Sequence, residues 1–166
     1  MKHLILIGGA MGVGKTAVSL VLKKLLPNAV FLDGDWCWDA DPFVVTDETK
    51  TMVEKNITYL LNSFLHCSAY ENVIFCWVMH QQKILDDLLS RLDLSVCKVH
   101  LFSLVCSAET LTNRIEGDVA AGKRTPDVLE RALARLPLYD NLNTVKITTD
   151  DLTPLETAER IGKLLM

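Results

Sequence analysis

A glycine-rich stretch near the start of the chain ends in a lysine and a threonine, residue types that together bind polyphosphates. Gly9, Gly14, Lys15 and Thr16 match the pattern GxxxxGK[ST]. In such a loop the backbone N–H groups surround an anion, the next helix N-terminus adds positive potential, and the lysine reaches the β- and γ-phosphates. The sequence therefore predicts a triphosphate-binding loop, composed of Gly9, Ala10, Met11, Gly12, Val13, Gly14, Lys15, Thr16 and Ala17.

The same stretch also matches the dinucleotide-binding pattern GxGxxA from Gly12 onward, with Asp33 at the spacing of a ribose-binding acid. That pattern should begin where the first strand ends, yet four residues separate the predicted strand end at Ile7 from Gly12. It also leaves the adjacent lysine and threonine without a role. The triphosphate interpretation is favoured over the dinucleotide site and over a purely structural glycine turn.

Two acids follow the second predicted strand, in the segment Asp33-Gly34-Asp35. In an extended segment residues two apart face the same way, so both carboxylates would project beside the loop. A Mg²⁺ ion would relieve their mutual repulsion. We predict that Thr16 and Asp33 hold Mg²⁺ and that one of the two acids accepts a proton from a substrate hydroxyl, with the choice of base left open. The alternative is a pair of solvated loop acids.

Features typical of nucleotide switches and motors are missing from the sequence. Those proteins usually carry an aspartate at the end of a later hydrophobic strand. Here the third predicted strand is followed by His80 and the fourth by Cys106, and no NKxD guanine-recognition sequence occurs. A kinase is therefore favoured.

The elements that must position these residues alternate between short apolar runs and longer helical patterns, which is typical of a parallel α/β sheet with crossover helices. We predict one three-layer domain spanning residues 1–166. Its strands are Lys2–Ile7, Ala29–Leu32, Asn72–Met79, Lys98–Val105 and Thr144–Thr148. Its helices are Lys15–Leu26, Asp47–Cys67, Gln81–Leu92, Ser107–Ala121, Asp127–Tyr139 and Thr153–Leu165.

Composition and charge restrict the classes of partner. The formal net charge of −4 argues against a general nucleic-acid binder, which needs a cationic surface. The apolar N-terminus is too short for a signal segment, and no apolar run is long enough to cross a membrane. The five cysteines form no CxxC pair, which favours a reduced, cytoplasmic compartment.

The phosphate loop followed by Leu32-Asp33-Gly34-Asp35-Trp36 resembles the small P-loop metabolite kinases, including shikimate kinase, gluconate kinase, adenylylsulfate kinase and chloramphenicol phosphotransferase. The resemblance covers most of the chain in order and spacing. It implies a P-loop NTPase fold with strand order 2-3-1-4-5 and helices on both faces. It also implies ATP and Mg²⁺ as cofactors, and an adenine site at the loop Thr148-Thr149-Asp150.

The resemblance further implies a mobile lid, at about residues 114–131, whose arginines contact the transferring phosphate. Arg124 and Arg131 are the candidates for catalysis, Arg114 is a candidate for nucleotide binding, and Arg135 is a weaker candidate. The alternative for Arg114 and Arg131 is a helix-surface ion pair with an aspartate four residues away.

The acceptor should carry no phosphate or carboxylate, because such groups are best gripped by arginine. From Asp33 to Ser90 the chain contains no arginine. Trp36, Trp38, Trp77 and His80 are candidates for lining a pocket for a neutral hydroxyl compound, although tryptophans are also common core residues. The sequence therefore predicts transfer of the γ-phosphate of Mg-ATP to a small, uncharged alcohol. A regulatory nucleotide-binding module and a nucleoside or nucleotide kinase are the alternatives.

Overall fold

The computed structural model describes residues 1–166 and contains one parallel five-stranded sheet. The strands are β1 (Lys2–Gly9), β2 (Ala29–Asp33), β3 (Asn72–Cys76), β4 (Cys97–Val105) and β5 (Val145–Thr148). Their order is β2-β3-β1-β4-β5, which confirms the predicted topology. Strand β1 lies in the centre, paired in parallel with β3 and β4, so its residues Leu4–Ile7 are fully buried. The loop after β1 is thereby held at the carboxyl edge of the sheet, where the strand order reverses.

Six α-helices connect and cover the strands. They are α1 (Lys15–Leu25), α2 (Asp47–His66), α3 (Gln82–Ser90), α4 (Ala108–Ala120), α5 (Val128–Arg135) and α6 (Pro154–Leu165). Local signals fix several of their starts: Thr46 and Thr153 cap α2 and α6 in reciprocal capping boxes, and Ser107 caps α4. Helix α1 packs against α6, and α2 packs against β3. One continuous apolar core of 35 buried residues joins sheet and helices. No helix is long and apolar enough to cross a membrane.

Several boundaries differ from the predicted elements by one or two residues, as where β1 extends to Gly9 and α3 ends at Ser90, and three differences are larger. Strand β3 ends at Cys76 because Trp77 makes a last backbone bond to Ile7 and the chain then turns at Met79, whose φ is 40°. Helix α5 ends at Arg135, since Pro137 has no N–H to continue it, and a 3-10 helix follows over Leu136–Asn141.

The third difference concerns the two acids. The segment Gly34–Trp38 is a 3-10 helix, so the prediction that the chain stays extended from Asp33 to Asp35 is wrong. Asp33, the last residue of β2, is also the N-cap of that helix, and its carboxylate accepts a hydrogen bond from the backbone N–H of Asp35. The two carboxylates still lie on the same side, because an N-cap side chain folds back over the first turn.

Candidate functional site

The loop between β1 and α1 has the backbone shape of an anion cup. Gly12 and Gly14 have φ angles of 83° and 105°, a region that side-chain-bearing residues rarely adopt. A Cβ on Gly12 would lie 2.5 Å from Ile115 Cγ1, so α4 closes against the outside of the loop. Gly14 caps α1 without any side-chain hydrogen bond and faces open space. The first N–H groups of α1 are thereby left available to a ligand.

The cup opens into a pocket of about 430 Å³ that also receives residues from β2, the β3–α3 loop, α4 and the start of α6. Seven of the nine predicted loop residues line it, namely Met11, Gly12, Val13, Gly14, Lys15, Thr16 and Ala17. The other two support the loop from behind: Gly9 ends β1, and the carbonyl of buried Ala10 accepts a hydrogen bond from Lys15 Nζ at 3.0 Å. The structure therefore brings the predicted loop together as one surface.

Lys15 is the positive group at the bottom of this pocket. Burial lowers the pKa of its ammonium group, and Cys76, Asp35 and Asp33 act in the opposite direction. Arg124 lies close enough to contribute to the lowering of the Lys15 pKa. A polyphosphate entering the pocket would stabilise the charged ammonium and compensate for the hydration that burial has removed.

Thr16 and Asp33 form a connected pair at the edge of the cup. The Thr16 hydroxyl donates to Asp33 Oδ2 at 2.7 Å, and Asp33 Oδ1 accepts the Asp35 N–H at 3.0 Å. Both oxygens of buried Asp33 are therefore engaged by protein donors. Asp35 is exposed, and its pKa is raised first by desolvation and then by the nearby Asp33 carboxylate. The two acids therefore have different environments: Asp33 is held by two hydrogen bonds, whereas Asp35 faces the mouth of the pocket.

Two residues beside the acids make contacts that the sequence did not predict: Cys76, which was not assigned to the site, and Trp77, which was a candidate only for the acceptor pocket. Cys76 lies directly opposite Asp33 in the β2–β3 register, and burial raises the pKa of its thiol to about 12. A neutral thiol thus occupies the end of the strand where nucleotide switches usually place an aspartate. A Cβ on Gly34 would lie only 2.6 Å from the Trp77 ring, which explains why glycine separates the acids. Neither contact has a local signal in the sequence, because both depend on strand pairing.

Arg114 of α4 lies in the pocket and is held by the protein. Its guanidinium donates to the Val13 carbonyl at 3.1 Å, to the Thr149 hydroxyl at 2.9 Å and to the Thr149 carbonyl at 2.8 Å. Of the predicted adenine loop, Thr149 lines the pocket, whereas Asp150 binds Ser107 and Thr110 at the start of α4. Arg114 therefore ties the phosphate loop to the loop after β5, and it makes no ion pair with Asp118.

Of the other three arginine candidates, one lies inside the pocket and two lie outside. Arg124 lines the pocket, and its Nε lies 3.0 Å from Oδ2 of Asp118, which also lines the pocket. Arg131 lies outside and makes an exposed pair with Asp127 at 3.5 Å. Arg135 also lies outside, close enough to His80 to help lower the pKa of that imidazole, although burial is the larger cause.

The predicted acceptor residues do not share one environment. Trp36 is more than half exposed and meets Phe31 edge to face at 5.2 Å. Trp38 and Trp77 are half-buried and lie 6.3 Å apart, centroid to centroid. His80 lies beyond the turn at Met79, and its buried Nδ1 has no hydrogen-bond partner.

A second, larger cavity of about 600 Å³ lies away from the phosphate loop, along the outer face of α2. Lys55, Tyr59, His66 and Arg91 are among its lining residues, and none of the predicted site residues reaches it. Size alone therefore does not identify the site; the convergence of loop amides and charged side chains does.

Comparisons with known proteins agree with this geometry. A family model described as an AAA domain matches residues 5–133. No curated protein shows a significant match to the sequence. Among solved structures, a gluconokinase from Sinorhizobium meliloti 1021 is 19% identical with a TM-score of 0.66, covering 98% of this chain and 95% of that one.

Two further structures share the whole architecture. The tunicamycin resistance protein of Deinococcus radiodurans is 21% identical with a TM-score of 0.67, covering 99% of this chain and 96% of that one. The shikimate kinase of Acinetobacter baumannii, in complex with shikimate, is 20% identical with a TM-score of 0.63, covering 99% and 93%. The family match extends over most of the chain, and the structural matches extend over nearly all of it. The chain therefore belongs to the AAA domain family, with the fold of the P-loop small-molecule kinases.

Proposed function

We propose that this protein transfers the γ-phosphate of Mg-ATP to a hydroxyl group of a small acceptor that carries no negative charge. The observation that supports this most directly is the convergence of five groups on one open pocket: the loop amides, Lys15, Asp33, Asp35 and Arg124. Kinases among the structural neighbours support a phosphotransferase. Phosphoryl transfer needs positioning and charge stabilisation more than covalent chemistry from the protein, and this pocket offers both.

The shape of the pocket suggests how the nucleotide lies. Its phosphates occupy the cup over Gly14 and Lys15, where backbone N–H groups and the ammonium converge. The adenine ring of the nucleotide lies at the other end, where Arg114, Leu152 and Pro154 line the pocket. A planar guanidinium and a proline ring are suited to the two faces of a purine.

The residues at the cup edge fit a magnesium ion. Mg²⁺ prefers oxygen ligands and is usually held by one or two protein oxygens together with substrate phosphates and water. The Thr16 hydroxyl and the Asp33 carboxylate, already hydrogen-bonded to each other, are the groups that would hold it. When bound, the ion supplies charge neutralisation between the β- and γ-phosphates. Asp33 is preorganised for this role because Asp35 N–H fixes its second oxygen.

We assign the role of general base to Asp35. Both oxygens of Asp33 accept protein hydrogen bonds, whereas Asp35 is exposed towards the pocket mouth. As the acceptor oxygen bonds to the γ-phosphorus, its proton passes to the Asp35 carboxylate. The bond from the γ-phosphorus to the bridging oxygen breaks and leaves ADP. Asp35 then returns the proton to water.

The lid segment, residues 114–131, supplies Arg124 to the transferring phosphate. Asp118 binds Nε of Arg124, which leaves both Nη nitrogens free to form a two-pronged contact with phosphate oxygens. Gly122, with a φ of 72°, lies at the bend between α4 and α5 and is suited to be the hinge. In this arrangement Arg131 remains on the surface of the single domain and does not contact the phosphate.

The test is transfer of labelled phosphate from γ-labelled Mg-ATP to a panel of hydroxyl compounds. We expect the label to appear on an acceptor, and Lys15→Ala to reduce the rate about a hundredfold or more, the scale of losing one preorganised charge contact. Lys24→Ala, in the last turn of the same helix α1, is the matched control and should leave the rate unchanged. Label released only as inorganic phosphate, at a rate indifferent to every acceptor, would favour a regulatory nucleotide-binding module instead.

A further inference from the structure

We infer that the acceptor carries an aromatic or similarly apolar ring, bound by an aromatic wall that begins beside Asp35. The inference rests on the proposed function and narrows its substrate class. The aromatic wall is defined here as Trp38, Phe43 and Trp77. Three observations support it. The wall begins next to Asp35, the proposed general base; its outer apolar side chains are exposed on a backbone fixed by hydrogen bonds; and the charged residues around it are mostly acidic.

The wall is continuous with the group that we assign as the base. The Trp77 ring packs on Gly34, the residue directly before Asp35. Trp38 meets Trp77 at 6.3 Å and Phe43 at 4.8 Å between ring centroids, both edge to face at 74°. A molecule whose hydroxyl reaches Asp35 therefore has ring surfaces immediately beside it.

The outer end of the wall is exposed although it is apolar. Phe43 is 56% exposed, and the next two residues, Val44 and Val45, are 50% and 52% exposed. A contiguous exposed apolar segment marks a binding surface more often than singly scattered apolar residues do. Isolated exposed apolar residues elsewhere on this molecule need no such explanation.

These exposed side chains are held in place by hydrogen bonds behind them. The Thr49 hydroxyl donates to the Val44 carbonyl at 3.0 Å, and Thr46 and Thr49 close a capping box at the start of α2. On the other side, the Asn56 amide donates to the Cys37 carbonyl at 2.9 Å and fixes the 3-10 helix that carries Trp38. A surface fixed before binding loses less conformational entropy when a ligand arrives.

Charge around the wall argues for an apolar occupant without a negative charge. The same segment carries Asp35, Asp39 and Asp41, and no arginine occurs between Asp33 and Ser90. Lys83 is engaged by Asp87 on α3. An anionic acceptor would find repulsion and no bidentate partner, whereas an uncharged ring would gain contact with three aromatic faces and edges. Because the wall starts at Gly34, next to Asp35, the occupant that it fits is the small acceptor.

The test compares three probes as acceptors of labelled phosphate from Mg-ATP: 2-phenylethanol, glucose and gluconate. We expect kcat/KM for 2-phenylethanol to exceed that for either other probe by at least about tenfold, the scale of one good aromatic contact. Phe43→Ala should raise KM for 2-phenylethanol about tenfold without changing kcat or KM for ATP. Phe43→Leu should recover part of the loss. Tyr59→Ala removes an exposed aromatic ring of α2 outside the wall and should change nothing.

Each other outcome overturns a defined part of the scheme. Preference for glucose or gluconate overturns this inference and leaves the proposed phosphotransferase intact. If none of the three accepts phosphate and no other alcohol does, the proposed function itself is wrong. If Phe43→Ala leaves KM for 2-phenylethanol unchanged, the ring binds elsewhere and the assignment of the wall falls. A dimer in gel filtration that Phe43→Ala converts to a monomer, with KM unchanged, would assign the wall to a second copy of the chain.

Discussion

The Asp118 carboxylate orients the Arg124 side chain by accepting a hydrogen bond from its Nε. The two side chains are only one-third exposed and lie within the nucleotide pocket, so their contact is better shielded than an ordinary surface pair. Arg124 also lies near Lys15 and Asp35, since it contributes to lowering the pKa of both groups. Its free Nη nitrogens are therefore placed among the groups that would surround the transferring phosphate.

We predict that Asp118→Asn lowers kcat for phosphate transfer about tenfold or more and leaves ADP affinity nearly unchanged. A hydrogen bond to a charged partner contributes about 1.5–3 kcal/mol, and ADP lacks the phosphate that Arg124 would contact. Steady-state kinetics and titration with a fluorescent ADP analogue measure the two quantities. Asp118→Glu should recover part of kcat. Asp127→Asn, which breaks the exposed Arg131 pair, is the control, and an equal effect of both asparagine variants would refute the role of Asp118.

Local pattern explains which site residues were predictable. The loop from Met11 to Ala17 lines the pocket, and it could be selected from sequence because glycine spacing and the lysine–threonine pair specify a short segment by themselves. Cys76 and Asp118 were missed as members of the site, and Trp77 was predicted for the acceptor pocket but not for its contact with Gly34. Their proximity to the acids or to Arg124 comes from strand pairing and from the fold of the lid, neither of which leaves a motif.

Strands β1 and β4 carry a pair of stacked histidines at the edge of the sheet away from the phosphate loop. His3 Nδ1 and His100 Nε2 lie 2.9 Å apart, and the rings stack at 5.1 Å. The pKa of His100 is lowered by burial, and then by His3 and Lys98. One ring must stay neutral to accept the hydrogen bond from the other.

We predict that acid weakens the fold through this pair. Because the folded pKa of His100 lies below its unfolded value of about 6.5, the unfolded chain binds the proton first. The contribution of the neutral His100 ring to the free energy of unfolding is fully present above about pH 6.5. It is lost as the pH falls through the folded pKa. Urea unfolding at pH 7.5 and 5.5 should show a larger loss of unfolding free energy for the wild type than for His100→Gln. Equal losses in the two proteins would contradict the prediction.

Element boundaries show where sequence periodicity stops being informative. The existence and order of all five strands and six helices were predictable, because hydrophobic runs and caps such as Thr153 recur at the expected spacing. The ends of β3 and α5 were not, since a strained turn at Met79 and the proline after Leu136 override an unbroken apolar pattern. The 3-10 helix after Asp33 was missed for a related reason. An aspartate at this position is compatible both with the end of a strand and with the N-cap of a helix, and Asp33 is both.

At the scale of the whole molecule, the proposed lid predicts that nucleotide protects the bend around Gly122 from protease. Lys123 and Arg124 lie in this bend, and Lys123 is exposed, so trypsin can cleave there. Closure on a phosphate should bury the bend and slow cleavage. We expect a non-hydrolysable Mg-ATP analogue to slow cleavage severalfold more than Mg-ADP does, as followed by mass spectrometry of timed digests. Equal protection by the two nucleotides would argue against a lid that senses the γ-phosphate.

The bonds of Arg114 have a consequence for how quickly the protein can take up nucleotide. By joining the Val13 carbonyl to Thr149, this side chain braces the two walls of the groove against each other before any ligand is present. Nucleotide capture then requires no rearrangement of the groove itself, and encounter should be limited by diffusion and orientation. The slow motions of the catalytic cycle would be confined to the segment that covers the groove, so departure of ADP, and not arrival of ATP, would set the pace of turnover.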